Sequence, residues 1–484
     1  MGVKAFRSLL AIGVCLAALP AQAETLKEAL AKAYESNPSL EAARANQRAT
    51  DENVPIERAD SLPSLSASGG INEFPYDSSD IASAQRQATA SVTLGVPIYA
   101  GGGVKNGIRA AETRVVAGQA DLRGTESQVF SQVVAAYMDV VQNEALVGLA
   151  ANNVEVLNVN LQATSDRFEI GDLTRTDVAQ SQSRLSLARG DLEASRANLI
   201  RARENYIALV GEAPTDLQPP PPLPGLPATP DDAVDVALQN NPDLLAAMER
   251  AKAAGFDVRV ASASRLPTLS VNAGADYSNF LNSLPEALQG LTPNSNSGAS
   301  VGVRATVPLY QGGRPAALRR QAQARESVAL ENIVATERDL IAQVRAAYSS
   351  WRAANEIIAS SQTAVEAAAL SLEGVRAENT VGNRTILDIL DAQQEHLRAQ
   401  VQLVTARRNA YVAGFTLLAA MGRAEARDLG LDELGTLYDP TVNYERVRRK
   451  AWDWSDDPAP VTQSTRTVDI PAQDAEIPPQ QAVE

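Results

Sequence analysis

The residues with the greatest chemical potential lie between Gly382 and Asp391. Asp388 and Asp391 stand three apart in a stretch that reads as helix, so their carboxylates share one face. Such a pair attracts cations, and several pairs brought together would repel and raise one another's pKa. Taken alone, two such aspartates are most simply a solvated helix surface. Arg384 just precedes them, and a guanidinium can fork two bonds to neighbouring oxygens. Thr176 and Asp177 stand beside a second turn, at Gly171. Gly171 and Gly382 fall where a turn calls for positive φ.

Enzymatic chemistry has little to work with. His396 is the only histidine, stands in a helical stretch, and reads as a packing or channel-facing residue. No nucleophile elbow accompanies it. Gly101-Gly102-Gly103 lacks the Lys and Ser/Thr of a phosphate loop and reads as a strand-to-helix joint. The one cysteine, Cys15, falls in a predicted secretory signal, residues 1–23. That signal has Lys4 and Arg7 at its start, an apolar run from Leu9 to Leu19, and small residues at Ala21-Gln22-Ala23. The mature chain is then expected to begin at Glu24 and to carry no thiol. No catalytic residue, metal site or cofactor is expected.

The elements that must position these residues follow from composition and repetition. The 484 residues carry 43 Lys+Arg against 58 Asp+Glu, which argues against a nucleic-acid partner. Aromatics make up only 4%, too few for a compact core and suited to long packed helices. Beyond the signal, no apolar run long enough for a transmembrane helix is read.

The chain is a repeat of itself. Asn37-Pro38 recurs as Asn241-Pro242, and Leu62-Pro63 as Leu266-Pro267, both 204 positions on. At an offset of 211, Val96-Pro97 pairs with Val307-Pro308, Tyr137 with Tyr348, Gly171 with Gly382, Asp177 with Asp388, and Gly211 with Gly422. Each repeat reads as helix, two strands, then two long helices. The divisions are a first repeat over 24–211, a proline-rich linker over 212–230, and a second repeat over 231–422. A C-terminal equatorial segment follows over 423–461, basic and aromatic from Tyr438 to Trp454, then a tail over 462–484 whose Pro-, Gln- and acid-rich composition predicts disorder.

Four stretches alternate apolar and polar residues with period two: Ser64–Phe74, Ala88–Tyr99, Thr268–Tyr277 and Ser300–Tyr310. Each is about ten residues, the length of a tilted membrane strand. Phe74, Tyr76, Tyr99, Tyr277 and Tyr310 stand at strand ends, where an aromatic belt would lie. Gly103 to Ile170 spans 68 residues, about 100 Å as helix, and the second repeat matches it from Arg314. Four strands cannot close a barrel, and an open edge in lipid leaves backbone groups unpaired. Strands in a membrane therefore demand several copies. Two copies enclose too little for an open lumen, and three give twelve strands.

With these features the sequence resembles the TolC family of outer-membrane channels over about Thr25 to Leu437. The likeness rests on the duplicated order and on the strand ends Val96-Pro-Ile-Tyr-Ala-Gly-Gly and Val307-Pro-Leu-Tyr-Gln-Gly-Gly. It rests also on the turn segments, Arg167-Phe-Glu-Ile-Gly171 and Gly382-Asn-Arg-Thr-Ile-Leu-Asp-Ile-Leu-Asp391. The resemblance implies an α+β membrane protein: a homotrimer with a twelve-stranded β-barrel continued as a helical coiled-coil tunnel through the periplasm. It implies an outer-membrane exit duct served by a periplasmic adaptor and an inner-membrane ABC or proton-driven transporter. It implies a constriction at Asp388 and Asp391, ties from Arg384 to Thr176 and Asp177, and adaptor docking at the Gly171 and Gly382 turns. The segment from Tyr438 is similar to that of members serving type I secretion. One departure is Asn379, where some members carry a locking tyrosine. A soluble periplasmic scaffold or adaptor is the rival expectation from the coiled coils alone.

Overall fold

A computed structural model describes residues 24–75 and 84–477. The expected signal with Cys15, the belt residue Tyr76, and the last seven residues lie outside that range.

The first repeat opens with three helices, α1 (Leu26–Ser36), α2 (Pro38–Asp51) and α3 (Asn53–Ala59). Strands β1 (Ser64–Glu73) and β2 (Arg86–Ala100) follow, then α4 (Gly103–Glu169) and α5 (Arg175–Val210). The second repeat runs α6 (Pro230–Asn240), α7 (Pro242–Ala263), β3 (Thr268–Asn279), β4 (Ser295–Thr306), α8 (Arg314–Thr380) and α9 (Ile386–Ala420). A short helix, α10 (Pro440–Val447), lies in the C-terminal segment.

The single opening helix expected of each repeat is broken, and the Asn-Pro pair breaks it. Asn37 caps α2 by accepting from the Ser39 and Leu40 amides, while Asn241 does the same for α7 with Asp243 and Leu244. Each asparagine also donates its Nδ2 to the end of its repeat's returning helix, to Leu209 O (2.9 Å) and Ala420 O (3.1 Å). The motif thus closes each repeat on itself. Pro55 accounts for the extra break before α3, because a proline ring clashes with the carbonyl four residues earlier. Arg259 at the matching place in α7 imposes no break.

The strands form one antiparallel sheet in the order β1-β2-β3-β4. Its register sorts the residues into two faces. Leu65 pairs with Leu94, Ala67 with Val92, Val92 with Ala275, Leu94 with Ala273 and Ala273 with Val301. On the other face lie Ser66 opposite Thr93, Ser68 opposite Ser91, Ser91 opposite Asp276 and Ser270 opposite Arg304. An apolar outer face and a polar inner one are what a membrane barrel wall requires. A bulge between Pro97 and Tyr99 brings Tyr99 opposite Leu269, on the apolar side.

One strand differs from its expected span. β4 starts at Ser295 rather than Ser300 and ends at Thr306, leaving Val307, Leu309 and Tyr310 outside the sheet and exposed. The cause is pairing. β3 begins at Thr268, which faces Ala100 on one side and Thr306 on the other, so β4 has no partner below Thr306.

Below the sheet, α4 pairs with α5 and α8 with α9 as two long antiparallel coils, and α7 packs between α4 and α8. The principal core sits partway along α4. Phe130, Val133, Val134 and Tyr137 are fully buried there against Leu30 and Ala33 of α1, Tyr206 of α5 and Phe415 of α9. α4 also has a stretch long and apolar enough for a membrane span, partly buried here, which the sequence did not lead one to expect. The linker crosses this core. The single Tyr137 Oη proton is shared between Gln218 O (2.6 Å) and Glu24 O (2.9 Å), and the repeat counterpart Tyr348 donates to Ala228 O (2.7 Å). The tail has no helix or strand from Thr462 to Ile477, yet residues 474–477 are held. Arg203, buried on α5, donates to Asp474 O (3.0 Å) and Glu476 O (2.9 Å), and Ala475 and Ile477 pack on the core. A buried guanidinium needs those acceptors, which fixes chain that its composition alone would leave free.

Candidate gate at the helix tips

Far from the sheet, each coil turns once. The two turns are built alike because their sequences are. Gly171 has φ +84° and Gly382 φ +83°, conformations that favour glycine. A side chain added at either would meet nothing within 4 Å, so backbone geometry rather than close packing demands glycine. Next, Thr174 caps α5 and Thr385 caps α9 in matching capping boxes. Asp177 accepts from the Thr174 amide (2.9 Å) and hydroxyl (2.7 Å), and Asp388 from the Thr385 amide (2.8 Å) and hydroxyl (2.7 Å).

These bonds hold the Asp177 and Asp388 carboxyls below the usual carboxylate range. That direction is opposite to the mutual raising expected of clustered aspartates. The mutual raising was an expectation for several copies together, whereas the caps act within the single chain.

Arg384 engages its own coil. Its Nε donates to Glu378 (2.7 Å), and its Nη1 lies 4.0 Å from Asp388. Within the chain it reaches neither Thr176 nor Asp177, so the expected ties between coils are not formed there. Asp177 is occupied by its cap, and Thr176 is exposed with no side-chain bond among the described residues. Asn379 donates to Arg384 O (2.7 Å), closing the turn on itself.

The bond between coils is made by a residue the sequence reading missed. Arg184 of α5 donates its Nη2 to Asp391 of α9 at 2.6 Å. Its counterpart at the repeat offset is Glu395, so duplication offered no clue. Two residues further along, Gln393 is buried between the coils, accepting from Asn160 (3.2 Å) and donating to Asn153 (3.4 Å). Leu157, Leu185, Ala188 and Leu390 form a small apolar cluster beside it. Higher up, Arg408 of α9 meets Asp139 of α4 at 2.8 Å, and Gln142 meets Thr405 at 3.1 Å. His396 is half-buried in α9 with its Nδ1 enclosed and unpartnered.

A two-faced sheet at one end and paired coils with charged tips at the other are the parts of an export channel. It belongs to the outer membrane efflux protein family, whose pattern it matches over residues 29–212 and 233–423. It is 33% identical over 443 residues to the outer membrane efflux protein BepC of Brucella suis, covering 92% of this chain and 94% of that one. It is 26% identical over 473 residues to the outer membrane protein TolC of Escherichia coli, covering 92% and 93%. Among solved structures, the CmeC outer membrane channel of Campylobacter jejuni superposes with a TM-score of 0.73 at 16% identity, covering 88% of this chain and 89% of that one. The chain is therefore an outer-membrane export duct with its helical part in the periplasm, and its relatives lend no support to a soluble scaffold or adaptor.

Proposed function

We propose that three copies close into one duct, gated at the periplasmic tips and continuous with a pump in the inner membrane. The observation that carries this reading is the sheet. It has four strands, an apolar outer face, and unpaired edges at β1 and β4. Placing either edge in lipid unpaired costs several kcal/mol per backbone group. Joining β4 of one copy to β1 of the next removes both edges, and three sets of four strands make twelve. The coils then form a tunnel of twelve helices. Its end carries six carboxylates, three of Asp388 and three of Asp391, around one axis.

At rest the tips are drawn together by contacts within each chain, chiefly Arg184 with Asp391, and by contacts between chains from Arg384 to Thr176 and Asp177. The exposed Gly171 and Gly382 turns face the adaptor. An ABC or proton-driven transporter supplies protein or small-molecule cargo through that adaptor. The test is the mass of the detergent-purified protein. A mass of three chains supports the reading, and a monomer soluble without detergent overturns it.

A further inference from the structure

The basic, aromatic stretch from Tyr438 to Trp454 leaves the core after its first residues and has no place in the gate, and its path points to a separate role. It starts beside the core, where Tyr438 N donates to Tyr34 Oη (2.9 Å). α10 then runs along α2, held by Asn443 to Asp51 (2.7 Å) and by the fully buried Val447. Next, Arg58 of α3 donates to Arg448 O (3.3 Å). Residues Lys450–Asp457 finally line a cleft of about 990 Å³ shared with Ile56, Leu62, Ser64 and Leu65. Step by step the segment climbs the outside of the helical part and stops where β1 begins.

There it forms a clasped loop. Arg446 grips both oxygens of Asp457 (2.8 Å each), and Lys450 adds a third bond (3.1 Å). Held out by the clasp, Trp452 is 74% exposed and Trp454 82%. Leu65, across the cleft, is 71% exposed and lies on the apolar face of the sheet, opposite Leu94. The indoles are thus continuous with the lipid-facing wall at its periplasmic margin. Indole combines a large apolar body with one N–H donor, which suits the boundary between acyl chains and headgroups.

We propose that the loop from Arg448 to Ser455 is a membrane anchor, with Trp452 and Trp454 inserted at the headgroup level of the inner leaflet of the outer membrane. The occupant of the cleft is phospholipid. The sheet face that leads into the cleft already lies against lipid, and the loop is fastened so that both indoles face outward. The anchor fixes the depth and tilt at which the barrel sits above the coils. It rests on the barrel reading but not on the gate.

The chain has three tryptophans, and Trp351 packs on the second-repeat core, so Trp351→Phe leaves the two loop indoles as the only reporters. The variant is reconstituted in phosphatidylcholine vesicles brominated high on the acyl chain, and conductance confirms that the barrel has inserted. The anchor predicts loss of most indole emission to the brominated lipid and little quenching by aqueous iodide. Iodide quenching without bromolipid quenching puts the loop in water and overturns the proposal. Protection from both quenchers puts it under a neighbouring copy and overturns it equally. Should Trp351→Phe fail to fold, the native chain is compared with a Trp452→Phe, Trp454→Phe variant. The bromolipid-quenched fraction must then vanish, and its persistence refutes the anchor.

Discussion

Replacing Arg184 with alanine tests the gate where the geometry is most explicit. The Arg184 and Asp391 side chains are 36% and 58% exposed, so their 2.6 Å contact is solvent-screened. Such pairs contribute about 0.2–1 kcal/mol each. If three copies open together, the losses add to about 0.6–3 kcal/mol, or roughly a 3- to 150-fold rise in the open-to-closed ratio. The substitution also frees three Asp391 carboxylates, so the constriction becomes more negative. Single-channel recording in planar bilayers should therefore show a higher open probability together with a stronger cation preference. Asp391→Asn should raise open probability but lower cation preference, which separates the tie from the charge. In a double-mutant cycle the two changes must be non-additive in open probability, because either one breaks the same bond. Arg196→Ala is the control, since Arg196 pairs only with Glu193 on its own helix. An unchanged open probability in Arg184→Ala, or full additivity with Asp391→Asn, would refute the tie. Restoration by exchanging the two charges would confirm it.

Other consequences follow from the same geometry. Arg384→Ala and Asp177→Ala should each raise resting conductance if contacts between copies hold the tips, and unchanged conductance in both removes them from the gate. Asp388→Asn combined with Asp391→Asn should shift the reversal potential in a salt gradient towards zero and relieve block by multivalent cations. Because its cap depresses the Asp388 pKa, its charge and its capping bonds are present above the ordinary aspartate value of about 3.9 and are lost only as pH falls through the lower folded value. Cation preference should accordingly hold from pH 7 down to about 5 if the caps dominate, and a fall within that window would show that the carboxylates of neighbouring copies outweigh them. Glu126, half-buried on α4 where it accepts from Ala426 N, has the opposite sign: desolvation pushes its pKa up to about 7. The folded state then binds the extra proton, so stability declines as pH rises from about 4.5 to about 7 and levels off above. Glu126→Gln should flatten that slope in urea unfolding of the detergent-solubilised protein, with a gain of roughly 3 kcal/mol at most at pH 8.

The repeated order, the four strands and the long coils were legible because each rests on a local rule repeated over many residues. Alternation with period two revealed the strands, and the absence of proline over tens of residues revealed the coils. What escaped depends on partners distant in sequence. Ser295 to Gly298 reads as a polar loop and becomes strand only because Asn279 to Asp276 stand opposite. Val307 to Tyr310 reads as strand by likeness to Val96 to Tyr99, and fails to be one because β3 ends its ladder at Thr268. At the tips, Asp388 was picked out but its immediate work, capping α9, was not, although Thr385 three residues earlier spells a capping box. Arg184 could not be found by any local pattern, since its partner lies 207 residues away.

The two repeats share a plan but not an environment, and the difference argues for closure. Ala117 on α4 is 2% exposed, whereas Val328, its counterpart on α8, is 61% exposed. α1, α2, α3 and the C-terminal segment cover the first repeat, whereas α6 and α7, packed on α8, leave Val328 bare among the described residues. The exposed surface of the chain is 30174 Å², against roughly 17,000 Å² for a compact monomer of its 51.2 kDa mass. Elongated coils explain part of the excess. They explain neither the unpaired β1 and β4 edges nor the bare apolar residues Val328, Leu330 and Val334 on α8. We infer that a rotation setting β4 of one copy against β1 of the next also brings the bare face of α8 towards the first repeat of its neighbour. One symmetric contact would thus satisfy both deficits. Glutamate placed at Val328 and Val334 should accordingly weaken assembly while leaving each chain's own core intact, and trimers of undiminished stability in that variant would show that α8 does not face a neighbour.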